Sequence, residues 1–208
     1  MKEKEIKKQK VKILIVEDEL LTAENIKKTA EKLGYSVIGM AKSATAAIDL
    51  VKNDPPDLIL MDIMLRGKLS GIEAVERIHE FADIPVIYLT AYSDAATIEK
   101  AKYTTPFAYL IKPFENRDLY TSIEMSIYRH SMEKKLKESE ENLSITLSSI
   151  GDGVIATDEK GFVTRMNPAA ENMCGWKLSD AAGKKLEEVF VIKSAITGKK
   201  IDTPVNKV

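Results

Sequence analysis

The chain has 208 residues, 44% hydrophobic and 30% charged, with 31 Lys and Arg against 32 Asp and Glu for a net charge of −1. Typical domains hold about 100 to 150 residues, so the length suits one full domain plus part of another. The composition excludes a disordered or fibrous chain, and the charge balance excludes a global basic field for nucleic acid; the single cysteine, Cys174, excludes a disulfide framework or a cysteine-rich zinc site.

Met1 to Lys10 carries Lys2, Lys4, Lys7, Lys8 and Lys10 and reads as a solvated, charged lead-in, 1–10, rather than a signal sequence. No run approaches the roughly 20 apolar residues of a membrane span, so no membrane association and a cytoplasmic location are expected. From Val11 to about Phe114, strand-like apolar runs alternate with helical periodicity, the pattern of repeated βα units on a parallel sheet. Strands are expected near 11–16, 36–41, 57–61, 85–90 and 107–111. The first helix carries Leu20, Leu21, Ile26 and Leu33 and stops at Gly34, which tolerates φ > 0. The second runs about Ser43 to Asn53, capped by Ser43 or Thr45 and ended by Asp54-Pro55-Pro56. The third is expected over Gly71 to Phe81 with Ile72, Val75 and Ile78 inward, and the fourth over Ala95 to Lys102 behind Asp94 as N-cap.

A fifth helix starts near Glu115 and meets no Gly or Pro before Gly151, enough for about 50 Å of helix at 1.5 Å per residue. In its second half Leu136, Leu143 and Ile150 fall seven apart with Leu147 between, a short coiled-coil pattern for a connector over 130–148. After Gly151 the texture becomes a hairpin: Val154 to Asp158, a turn at Glu159-Lys160-Gly161, then Phe162 to Asn167. Short helices follow near Pro168–Met173, Ser179–Ala182 and Leu186–Val189. Two strands make a marginal sheet, so this second unit reads as partial.

Four of the apolar runs end at polar residues of different kinds: Glu17-Asp18, Asp62, Thr90 and Lys112. Ligands of a parallel α/β sheet bind beyond the carboxyl ends of its strands, so these endings are expected to share one pocket. Three carboxylates, a hydroxyl and an ammonium suit a divalent cation beside a phosphoryl group on a carboxylate. Asp62 would be the nucleophile and Glu17 with Asp18 the cation site; hard oxygen ligands favour Mg²⁺.

These residues resemble the receiver domain of two-component response regulators over 11–129. The match rests on Glu17-Asp18, a D-I-x-L-x-G-x-x-x-G pattern at Asp62, Ile63, Leu65, Gly67 and Gly71, then Thr90-Ala91 and Lys112-Pro113-Phe114. The resemblance implies a doubly wound, flavodoxin-like five-stranded parallel sheet of strand order 2-1-3-4-5. It implies phosphoryl transfer from a histidine kinase or phosphotransfer protein to Asp62, with Mg²⁺ on Asp18, Asp62 and the Met64 backbone carbonyl, and on Glu17 through water. It further implies a cis bond before Pro113, and a switch through Thr90, Ala91, Lys112 and Tyr109. Residues 149–208 resemble the first half of a PAS sensor domain, an α+β unit, on Ser149 to Ile155, the Asp158–Gly161 turn, Asn167 to Glu171 and Gly175-Trp176. No ligand for that unit follows from the sequence.

The expected role is therefore signalling rather than metabolite turnover, with the fifth helix relaying the switch to the PAS unit. Two alternatives remain: a phosphorylation-independent scaffold, and an Mg²⁺-dependent aspartyl-phosphate phosphohydrolase, for which Glu17-Asp18-Glu19 lacks the D-x-D order. A homodimer through the connector or the fourth-to-fifth helix face is expected, and His130 reads as a solvated linker residue. No glycine-rich nucleotide loop and no basic recognition helix follows, so neither kinase activity nor direct DNA readout is expected.

Overall fold

The computed structural model describes residues 10–91 and 102–192. It divides into two compact units, Met1–Lys134 and Lys135–Val208. The expected fourth helix and its Asp94 cap lie outside the described residues.

In the first unit, strands β1 (Lys12–Val16), β2 (Ser36–Ala41), β3 (Leu58–Asp62), β4 (Val86–Ala91) and β5 (Ala108–Lys112) form one sheet in the order β2-β1-β3-β4-β5, every pair parallel. Side chains alternate across a strand, so each central strand feeds two cores. Leu14, Val16, Ile59 and Met61 join one cluster, under helices α2 (Ala44–Asn53) and α3 (Gly71–His79). Ile13, Ile15, Leu58 and Leu60 join the other, under α1 (Leu20–Lys32) and the start of α4 (Asn116–Ser149). β3 is buried at all five positions, which is why its sequence is continuously apolar up to Asp62. Each such Leu or Ile contributes about 1.5–3 kcal/mol by leaving water.

Local chemistry sets the helix ends. Gly34, at φ +96°, closes α1: its amide reaches the Glu31 carbonyl and that of Tyr35 reaches Ala30, satisfying two terminal acceptors. Ser43 caps α2 through the Ala46 amide, and Asp54 leaves the helix in extended conformation ahead of Pro55. Ser70 and Glu73 form a reciprocal capping box on α3, and the Ser70 hydrogen bonds hold the Glu73 carboxyl below its ordinary range. The buried stripe of α1 is Ala23, Ile26 and Ala30, whereas Leu20 and Leu21 are exposed. Leu21 lies two residues from Ala23 and so on the far side of the helix, and Leu20 belongs to its first turn.

α4 is the long helix expected as the fifth. Leu119, Ile123 and Ser126 are buried, and the Tyr35 hydroxyl donates to Glu124 at 2.7 Å. His130 departs from its expected solvation. Its side chain is 20% exposed, its Nε2 lies 3.3 Å from Asp83, and its ring meets Phe107 edge-on at 5.5 Å. Sequence placed it among polar neighbours, but on the helix it faces the loops before β4 and β5.

In the second unit, β6 (Ile155–Thr157) and β7 (Val163–Met166) pair antiparallel, followed by α5 (Pro168–Cys174), α6 (Leu178–Ala181) and α7 (Leu186–Val189). Asp158 accepts the Lys160 and Phe162 amides at 2.9 Å, building the turn that Gly161 completes at φ +80°. Val163, Ala181 and Val189 make the small core, with Trp176 packed against it. Asn167 is buried and organises the unit. Its Oδ1 accepts the Val154 and Ala170 amides at 2.8 and 2.9 Å, while its Nδ2 donates to the carbonyls of Leu147, Ile150 and Asp152. One side chain thus caps the start of α5 and the end of α4.

Candidate functional site

The carboxyl ends of β1, β3 and β5 converge. Asp62 closes β3, Lys112 closes β5, and Glu17-Asp18 follow β1 directly. Lys112 Nζ donates to Asp62 Oδ2 at 2.6 Å and to Glu17 Oε2 at 2.5 Å, joining residues 50 and 95 positions away. Glu17 is held further by the Glu19 amide on its Oε1, and Asp62 by the Met64 amide on its Oδ1 at 2.9 Å. Glu17, Asp62 and Thr90 are buried, so the polar groups sit in a low-dielectric setting where pairing matters.

Burial pushes the Glu17 carboxyl above its usual range; the Lys112 hydrogen bond opposes this without overcoming it, and the Asp62 charge adds to the rise. Burial alone would lower the Lys112 ammonium, but hydrogen bonds to Asp62 and Glu17 outweigh it and raise the value. One oxygen each from Glu17, Asp18 and Asp62 lies within 4.8 Å of the others. This donor set fits a small, hard divalent cation, because charged oxygens with little softness suit Mg²⁺ over thiophilic metals.

The other expected residues lie on β4, on β5 or directly after it. Thr90 donates its hydroxyl to the Ala91 carbonyl at 3.1 Å, both at the end of β4. Tyr109, half-buried on β5, stacks on Tyr88 with ring centroids 5.9 Å apart. The Lys112–Pro113 peptide is cis. Gly71 is the tightest backbone approach: a Cβ there would lie 1.9 Å from the Asp62 carbonyl oxygen, so only glycine lets α3 start this close to β3. A groove of about 510 Å³ opens beside Lys112, lined by Glu19, Thr22, Asn25, Thr29, Phe114 and Asn116 among others.

Arg66 is the member of the site that sequence did not single out. Its Nε donates to Asp18 Oδ2 at 2.8 Å. The contact runs between the loops after β1 and β3, and no spacing rule foretells a pair between two loops.

Residues 13–124 match the response regulator receiver domain family, and residues 141–202 match the PAS fold. The transcriptional regulatory protein PdtaR of Mycobacterium tuberculosis is 33% identical over 118 residues, 57% of either chain. YvrH of Bacillus subtilis, also named a transcriptional regulatory protein, is 37% identical over 128 residues, 62% of this chain and 54% of that one. The chain thus spans a little over half the length of the curated relatives it matches. Among solved structures, the signal receiver domain of a modulated diguanylate cyclase from Desulfovibrio desulfuricans G20 is 37% identical with a TM-score of 0.57, covering 60% of this chain and 98% of that one. The N-terminal domain of a response regulator/sensory box/GGDEF protein from Carboxydothermus hydrogenoformans is 35% identical with a TM-score of 0.55, covering 59% and 98%. The receiver match takes in more than half of the chain, and a helix whose first turns pack in that domain leads on to the PAS region. The chain belongs to the response regulator receiver family and is a two-component response regulator carrying a PAS domain.

Proposed function

We propose that Asp62 accepts a phosphoryl group from the phosphohistidine of a partner histidine kinase or phosphotransfer protein. The carrying observation is the Lys112 ammonium bound to both Asp62 and Glu17, at the centre of a carboxylate cluster suited to a divalent cation. In the transfer, an Asp62 oxygen forms a P–O bond as the P–N bond breaks, and the imidazole leaves with the electron pair and takes up a proton. Water later returns the phosphoryl group as inorganic phosphate and restores the carboxylate. Asp18, Asp62, the Met64 carbonyl and, through water, Glu17 would hold Mg²⁺, which would supply charge neutralisation for the transfer. Lys112 meets another phosphoryl oxygen, and the Thr90 hydroxyl and Ala91 amide meet the remaining charge at the end of β4.

The groove beside Lys112 supports docking of the donor, since Lys112, which lines it, also holds Asp62, and Thr22, Asn25, Phe114 and Asn116 line it too. Rearrangement at Thr90 and Tyr109 shifts a pre-existing equilibrium, and α4 passes it to the PAS unit. The C. hydrogenoformans relative, named for a response regulator followed by a sensory box, supports that order of parts. In this reading output passes through the PAS unit and not through direct DNA contact.

Intact-mass spectrometry after incubation with acetyl phosphate and Mg²⁺ tests the proposal. The wild type should gain one phosphoryl group, and Asp62→Asn or added EDTA should abolish the gain. A wild type that binds Mg²⁺ yet gains nothing would favour the scaffold reading.

A further inference from the structure

Arg66 stands in the loop between β3 and α3, four residues after Asp62 and beside Gly67, whose φ of +132° turns the chain. Its side chain is 91% exposed, yet it ends on Asp18, whose side chain is 14% exposed. A long side chain so open to water ordinarily keeps no fixed partner, because holding one rotamer costs entropy that a surface pair barely offsets. Asp18 supplies the reason for this one. Lys112 pairs with Glu17 and Asp62, and among the described residues the Asp18 carboxylate forms an ion pair with Arg66 alone. The guanidinium therefore supplies positive charge to the oxygen that the Mg²⁺ reading of this site also requires.

We propose that Arg66 is the resident counter-cation of the metal site, holding Asp18 until a divalent cation displaces it and thereby setting the Mg²⁺ affinity of this receiver. The inference rests on the proposed metal site and adds a residue that opposes occupancy rather than assisting it. A guanidinium N–H and a divalent ion on the same carboxylate oxygen compete for its lone pairs, and their like charges repel at close range. Release is easy because the freed side chain already lies in water. It also has a structural consequence: the Arg66–Asp18 pair ties the loop after β3 to the loop after β1, so cation entry unties them.

The test is isothermal titration of the full chain with Mg²⁺ alone, comparing wild type, Arg66→Gln and Lys68→Gln. Lys68 is an exposed cation of the same loop that forms no ion pair among the described residues, so it controls for the general field. Arg66→Gln should bind Mg²⁺ about 3- to 10-fold more tightly, the scale set by removing one paired surface charge, and Lys68→Gln should change affinity less than about 2-fold. Circular dichroism should be unchanged in both, since neither side chain is buried. Unchanged or weaker binding by Arg66→Gln would overturn the inference, as would equal tightening by Lys68→Gln, which would reduce Arg66 to one charge among several. If neither wild type nor Arg66→Gln binds Mg²⁺, the metal reading itself fails and this inference with it. Mg²⁺ binding that Asp18→Asn weakens but Arg66→Gln leaves untouched would overturn the Arg66 role while sparing the metal site.

Discussion

Replacing Asn167 should melt the second unit while leaving the first folded. Asn167→Ala removes an N-cap, costing about 1 kcal/mol. It also strips the Val154 amide of its 2.8 Å acceptor and the Leu147 and Asp152 carbonyls of donors at 3.0 and 2.9 Å. An unmet buried polar group costs about 1–3 kcal/mol, and partial access to water reduces that for the carbonyls, so the total comes to about 3 kcal/mol. With a urea m-value of about 1 kcal/mol/M for so small a unit, the midpoint should fall by about 2–3 M. Trp176 is the only tryptophan and packs against the small core of the second unit, so its fluorescence follows that unit alone. Asn167→Asp separates the two halves of the role. It keeps both acceptor bonds but loses the donors and turns a negative charge toward three carbonyls, so it should fall at least as far as alanine. A midpoint for Asn167→Asp equal to wild type would show that the donor side contributes nothing. A loss under about 0.5 kcal/mol for alanine, the range of ordinary surface changes, would refute the whole account.

Gly71→Ala should be the most damaging small change near the site, because the new methyl would fall 1.9 Å from the Asp62 carbonyl oxygen and 3.1 Å from Met61 Cγ. Backbone must move to admit it, costing about 3 kcal/mol and displacing Asp62, so a thermal melt should show a lower midpoint and intact-mass spectrometry a reduced phosphoryl gain. The connector should pair with a second copy through Leu136 and Leu143, which are 62% and 48% exposed. Sedimentation should then give a dimer for the wild type and a monomer for Leu136→Glu/Leu143→Glu; a wild-type monomer both with and without phosphorylation would refute the pairing.

The central strands β1, β3 and β4 were legible because burial on both faces leaves little room for polar residues inside them, so their runs end where the sheet meets the site, while the half-buried β2 and β5 were legible from apolar runs of their own. That is why Glu17, Asp62, Thr90 and Lys112 stood out from the sequence, and why the Lys112 contacts join residues so far apart in the chain. What escaped notice depends on loops and faces. Arg66 meets Asp18 only because two turns come side by side. Leu20 and Leu21 marked α1 as apolar positions, but the stripe that the helix buries is set by Ala23, Ile26 and Ala30. His130 has polar neighbours in sequence and Phe107 and Asp83 in space. Asn167 was readable as part of a motif, but nothing in a linear chain shows that one amide serves five backbone groups.

The proposed relay would run along the long helix. Within the first unit its opening turns are fixed by Leu119 and Ile123 in the core, and within the second its closing turn is fixed by the Asn167 amide on the carbonyls of Leu147 and Ile150. From Glu133 to Thr146 every residue is exposed. A stretch with no buried face draws little stability from packing, and helices of this length are marginal in water by themselves. Its order therefore depends on the two anchored ends and on whatever covers Leu136 and Leu143. In the proposed relay, a change at β5 that shifts Leu119 and Ile123 would travel along α4 only while the intervening turns stay helical, so substitutions that break the helix in its exposed stretch should abolish it.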